Sequence, residues 1–157
     1  MHHKNITPSL LTLFLFLGYL TSSAQLIENF NQYSWQQKDS IIETLYHGGA
    51  KNVVNVIIDQ AYEAETTNAS QDLEALAALT VWKGIKELSE NNLVEAQNTL
   101  QTAVDIYEQK PAIDRRRYQD ALINLSDIYL ERGDALLAFR SFAKAVELLD
   151  LDTMVQA

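Results

Sequence analysis

The chain has 157 residues, a formal net charge of −9 and no cysteine. That length fits one domain. The missing cysteine removes a disulfide framework, a thiolate nucleophile and thiolate metal ligands, and the negative charge argues against nucleic acid or anionic membrane as a partner, since both need a positive footprint. Five glycines and two prolines are too few for a strand-and-turn protein, and good helix formers dominate.

Residues 1–24 read as a secretory signal peptide. His2, His3 and Lys4 give a weakly basic start. Leu10 to Leu20 is an apolar run too short to span a bilayer comfortably, and Ser22-Ser23-Ala24 offers small residues with cleavage expected after Ala24. An uncleaved anchor is the alternative, but no basic cluster follows the run. The chain is therefore expected outside the cytoplasm, periplasmic or secreted from a bacterium, with no membrane span after signal cleavage. Residues 25–34 form a lead-in.

Ser34 with Gln37 three residues on is a capping-box pattern, which starts a first helix at Trp35 and carries it to about His47, where Gly48-Gly49 ends it. A second helix is expected from about Ala50 to Glu65, with Val53, Val54, Ile57, Ile58 and Ala61 inward. Ser70 is a good N-cap for a third, from about Gln71 to Glu90, carrying Leu73, Leu76, Leu79, Trp82, Ile85 and Leu88. Asn91-Asn92 makes the next turn, and a fourth helix covers about Leu93 to Gln109, with Ala96, Leu100, Ala103, Val104 and Tyr107 inward. Pro111 marks the end of that helix or the first turn of the fifth, which begins between Ala112 and Arg115 and ends at Arg132. Gly133 suits the positive φ of a helix C-terminus. The sixth helix opens at Asp134 and runs to about Leu149, with Leu137, Ala138, Phe142, Ala145, Val146 and Leu149 on one face. Residues 151–157 are a tail.

These elements repeat at a constant interval in the numbering. Gly133, Ala138, Phe142 and Ala145 recur one period earlier as Asn91, Ala96, Leu100 and Ala103, and one period earlier again as Gly49, Val54, Ile58 and Ala61. Leu122, Leu125, Tyr129, Gly133, Ala138, Phe142 and Ala145 together resemble the signature of a tetratricopeptide repeat, a helix–turn–helix unit of protein–protein interaction solenoids. Ser126 stands where that family prefers Gly or Ala, and Asp150 where a proline is usual. The step from Asn91 to Gly133 exceeds the common period of about 34. It is similar to the longer-helix variant of kinesin light chain and of repeats preceding CHAT domains, as is the run Asn124-Leu125 followed by Tyr129. The resemblance implies an all-α fold, a right-handed α-α superhelix of three hairpins over residues 35–150, with repeats at about 35–76, 77–118 and 119–150.

Little catalytic chemistry is legible. His47 is the one histidine left after signal cleavage, and a lone histidine at a helix end suits a cap or dipole partner better than a catalyst or zinc ligand. No Gly-x-Ser-x-Gly elbow and no phosphate loop occur. The expectation is a non-enzyme without cofactor or metal. Arg115-Arg116-Arg117, the one basic cluster, reads as a solvated or salt-bridged helix start, or as an anion-contacting edge.

The resemblance implies that the first helix of each repeat lines a concave face. On the fifth helix Asp120, Asn124, Asp127 and Glu131 form one polar stripe. Their counterparts one repeat earlier are Ala78, Trp82, Ile85 and Ser89, and those of the first repeat are Gln36, Ser40, Glu43 and His47. The expected partner site is centred on Trp82 and Ile85, with Asp120, Asn124, Asp127 and Glu131 on one flank and Glu43 and His47 on the other. It suits a protein or peptide segment with Lys or Arg beside an apolar residue. Trp82 has a second reading, as core between repeats one and two. Alternatives for the whole chain are a sensory or regulatory N-terminal segment of a longer enzyme, such as a CHAT-type protease or a signalling kinase, and a self-associating repeat. A homo-oligomer through the C-terminal end is the form self-association would take, because no capping hairpin follows the last repeat.

Overall fold

The computed structural model describes residues 29, 30, 32–68, 72–110 and 114–155. The expected signal segment, residues 1–24, and Ser70 and Pro111 lie outside them. All regular structure among the described residues is helical, in six long helices: α1 Trp35–His47, α2 Lys51–Thr67, α3 Leu73–Ser89, α4 Leu93–Gln109, α5 Arg115–Glu131 and α6 Ala135–Val155. None of these is long and apolar enough to cross a membrane. The chain divides into two compact units, Met1–Val53 and Val54–Ala157.

Helix starts follow the capping chemistry. The Gln37 N–H donates to Ser34 Oγ at 3.4 Å and the Ser34 N–H to Gln37 Oε1 at 3.0 Å, a complete capping box. α3 opens two residues later than Ser70 predicts. Asp72 is its cap, with a carboxylate that accepts from the Glu74 and Ala75 N–H groups at 3.0 and 3.3 Å. α6 runs past the predicted end near Leu149 to Val155, since Leu151-Asp152-Thr153 carries neither the glycine nor the proline that would stop it.

The three hairpin turns are one structure repeated. Positive φ occurs at Gly49 (80°), Asn91 (64°) and Gly133 (80°), one to each repeat and at equal intervals. At each, two hydrogen bonds close the same Schellman motif. Gly49 N–H donates to the Tyr46 carbonyl and Ala50 N–H to Leu45; Asn91 donates to Leu88 and Asn92 to Glu87; Gly133 donates to Leu130 and Asp134 to Tyr129. The recurrence read from side chains is therefore also a recurrence of backbone conformation. A Cβ at Gly133 would meet nothing within 4 Å, so backbone strain alone governs substitution there. Gly133→Val is expected to cost about 1–3 kcal/mol, whereas Gly133→Asn stays near wild type, because Asn91 already holds that conformation. Urea unfolding of the two variants checks this, and equal midpoints would remove the strain argument.

In the unit Val54–Ala157, α3 packs on α4 and α5, α4 on α5, and α5 on α6. The repeat's small positions are buried as expected: Val54, Ala61, Ala96, Ala103, Ala138 and Ala145. Within the last hairpin, Ser126 Oγ donates to the Ala138 carbonyl at 3.0 Å, which satisfies the hydroxyl that stands in place of Gly or Ala. Gly84, the counterpart of Ser126 one repeat earlier, brings α3 against α4 so closely that a Cβ there would lie 2.6 Å from Leu100 Cγ. Between α4 and α5, Tyr107 stacks on Tyr118 with centroids 5.1 Å apart.

One expected face is not buried. Of the α6 positions predicted inward, only Ala138 and Ala145 go inside, while Leu137, Phe142, Val146 and Leu149 are exposed. The α4 counterparts of the last three, Leu100, Val104 and Tyr107, are buried, Leu100 against α3 at Gly84 and Tyr107 against Tyr118 of α5. The periodicity of α6 marks a face suited to burial; among the described residues nothing covers it.

Candidate functional site

The described surface nearest the expected partner site is the seam between α3 and α5. α3 is closed on almost every side: Ala75, residues 77–82 and Gly84 are buried. A helix apolar all round behaves this way when neighbours flank it. Ala78 and Trp82, the predicted apolar centre of a groove, are therefore core, Trp82 being 2% exposed. Its burial agrees with the core reading, but Arg117, which stacks on it, belongs to α5 and not to the first repeat.

What covers Trp82 is Arg117. Its guanidinium carbon lies 4.4 Å from the indole centroid, a cation–π stack of the strong, desolvated kind. Arg117 is itself 3% exposed. Its Nη1 donates to Asp120 Oδ2 at 2.8 Å. The start of α5 sets this geometry: the Asp114 carboxylate caps the helix by accepting from the Arg116 and Arg117 N–H groups at 3.0 and 3.4 Å. Of the three arginines, Arg116 stays exposed and Arg117 turns inward. Sequence reasoning missed this role. The signal was present, since Arg117 extends the stripe of Asp120, Asn124, Asp127 and Glu131 by one turn, three residues before an aspartate.

The rest of the stripe continues along α5. Asn124 is half-buried, and its Nδ2 donates to the Asp120 carbonyl at 2.7 Å, which holds the amide against its own helix. Asp127 and Glu131 are exposed. On α3, Ile85 is half-buried and Ser89 exposed. The structure thus brings Trp82, Arg117 and Asp120 together, with Asn124 joined to Asp120. Glu43 and His47 lie on α1, in the unit Met1–Val53. Glu43 is half-buried and His47 exposed in the last helical turn, its ring meeting Tyr46 edge-on at 5.6 Å. The α5 stripe offers carboxylates and an amide as hydrogen-bonding groups. Among the described residues no three His, Cys, Asp or Glu side chains converge as a metal site requires.

Other charged groups tie helices together. Lys86 on α3 donates to both carboxylate oxygens of Asp59 on α2, at 2.9 and 3.0 Å. Burial disfavours its charged form, but the Asp59 hydrogen bond and charge, with Glu90 behind, outweigh burial and raise the Lys86 pKa. Between α4 and α6, Lys144 pairs with Glu108 over the Tyr118 ring. Burial raises the Tyr118 pKa, and Lys144 only partly offsets it.

Compared with known proteins, the chain matches no family model, no curated protein and no solved structure.

Proposed function

We propose that the chain is a non-catalytic, extracytoplasmic module of tetratricopeptide-like repeats, stacked as a right-handed superhelix, that binds a protein or peptide segment along the α3–α5 seam. The observation that carries this reading is the stripe on α5 in which buried Arg117 and half-buried Asn124 are held in place while Asp127 and Glu131 stand exposed. Rigid, pre-positioned polar groups lower the ordering cost of binding. Trp82 contributes from beneath, as the platform that fixes Arg117, rather than as the anchor itself. The exposed carboxylates favour a segment with Lys or Arg beside an apolar residue. The extracytoplasmic location rests on the signal-like segment Met1 to Ala24.

A second reading, a regulatory segment of a longer enzyme of the CHAT-protease or signalling-kinase kind, is favoured by the uncovered face of α6, on which further chain could pack.

Binding to a panel of immobilised peptides graded in Lys/Arg and apolar content tests the first reading. Asn124→Ala is expected to weaken capture by about 2–10-fold, the worth of one hydrogen bond, with the melting temperature unchanged. Asp127→Asn should lower the preference for basic peptides and its salt sensitivity. If both variants bind the panel as wild type does, the seam is not the site.

A further inference from the structure

α6 and α1 each leave apolar side chains exposed or half-buried among the described residues. On α6, Phe139, Phe142, Val146 and Leu149 are 69, 53, 42 and 53% exposed. Their counterparts one repeat earlier on α4 are Gln97, Leu100, Val104 and Tyr107, the last three of which are buried, with Gln97 bonded to Arg132 and Tyr107 stacked on Tyr118 of α5. The α6 face is thus more apolar than its α4 counterpart, with Phe139 in place of Gln97. On α5, Ala121 and Leu125 are buried, and Tyr129, which follows them on the same helix, reaches α4 with its OH 3.5 Å from Gln101 Oε1. Two repeats earlier, those positions are Gln37, Ile41 and Leu45 of α1. They are not closed over. Ile41 and Leu45 are half-buried, and with Tyr33, Ser40 and Thr44 they line two adjoining open grooves of about 410 and 270 Å³.

We propose that α6 of one copy is covered by α1 of the next, so that copies stack head to tail and continue the repeat. The occupant is a second copy, because this chain carries both the face of α4 type and the face of α5 type, each uncovered among the described residues and in the same repeat register as the interface already formed between α4 and α5. The contact is heterologous, and such contacts propagate into rings or open filaments. It shares no residue with the α3–α5 seam and stands independently of the ligand proposed there. The exposed aromatic and aliphatic side chains of α6 supply the driving force.

Sedimentation over a range of concentrations tests this with one variant at each end, Ile41→Asp on α1 and Phe142→Asp on α6. Wild type is expected to form species larger than a dimer as concentration rises. Each variant alone is expected to remain monomeric, with wild-type helicity by circular dichroism. Mixing the two should give a dimer and nothing larger, because each supplies the intact end the other lacks. Phe139→Glu, at a more exposed position, replaces Phe142→Asp if the latter loses helicity, and Ser40→Arg replaces Ile41→Asp likewise. Three results overturn the proposal. Wild type that stays monomeric throughout means that another segment of chain covers α6. Dimerisation of Ile41→Asp but not of Phe142→Asp means that α6 pairs with itself. A mixture that remains monomeric means that the two faces do not meet.

Discussion

Gly84→Ala destabilises the protein, although alanine is the better helix former. The two effects can be weighed. Alanine for glycine in a helix interior gains about 0.5–1 kcal/mol. Against this, the new Cβ would lie 2.6 Å from Leu100 Cγ and 2.7 Å from its Cδ2. Leu100 is fully buried and cannot swing aside into solvent. Overpacking of this kind costs about 1–3 kcal/mol, so the clash wins and a net loss of about 1–2 kcal/mol is expected. Leu100→Ala alone removes a leucine from the core and should cost about 2–5 kcal/mol. In that background the obstacle is gone, and Gly84→Ala should turn neutral or stabilising. The sign reversal is the test, read from chemical denaturation of the four proteins as a double-mutant cycle. Stabilisation by Gly84→Ala in the wild-type background would show that α3 and α4 do not approach this closely.

Gly84 also marks where the sequence was legible and where it was not. Features that depend on a few neighbouring residues were readable. The Ser34–Gln37 capping box and the span of α4 match the structure, and the left-handed turns fall at Gly49, Asn91 and Gly133 as the repeat spacing requires. Their causes are local: a side chain reaching a nearby N–H, or a glycine tolerating positive φ. Gly84 was readable by the same register, being Ser126 one repeat earlier, but it looks like an ordinary weak point in a helix until its neighbour is known. Burial on α3 was harder. The apolar series Leu73, Leu76, Leu79, Trp82, Ile85 and Leu88 was the legible feature, yet Leu76, Ile85 and Leu88 are half-buried while Ala77, Ala78 and Val81 are fully buried. A helix flanked by others loses the periodic contrast on which such a reading depends. The opposite error occurs on α6. Its apolar period reports what the face can bury, and whether it is buried depends on what packs there next.

The polar stripe of α5 shows a third kind of difficulty, the direction a charged side chain takes. Arg115, Arg116 and Arg117 are indistinguishable as a run, and a solvated helix start is the natural reading of all three. The Asp114 cap fixes the phase of α5 and turns Arg117 alone toward α3, where Trp82 supplies an aromatic face. Arginine suits that place because its flat, weakly hydrated guanidinium stacks on the indole while its edge still donates to a carboxylate. Trp82 and Asp120, predicted as contacts for a partner, thus meet through a residue the prediction left out.

The same arrangement sets an ordering of variant stabilities. Asp120→Ala takes this carboxylate away from the Arg117 guanidinium, whose side chain is 4% exposed. Removing one partner of a buried ion pair costs about 3–5 kcal/mol. The Asp120 side chain is 34% exposed, so water can enter where it stood, and the expected loss lies at the low end, about 3 kcal/mol. Arg117→Met removes the charge and keeps most of the stem. It leaves behind only a carboxylate that reaches solvent, and loses a desolvated cation–π contact of about 2 kcal/mol. The double variant has neither the buried cation nor the carboxylate that paired with it, and should be more stable than Asp120→Ala alone. The expected order of stability is wild type, then Arg117→Met and the double variant, then Asp120→Ala. Because the guanidinium is shielded, raising the salt concentration should leave this order unchanged. Urea unfolding at low and high salt measures it. Equal losses for Asp120→Ala and Arg117→Met, or a double variant that loses their sum, would mean that Arg117 is solvated and the Trp82 platform does not hold it.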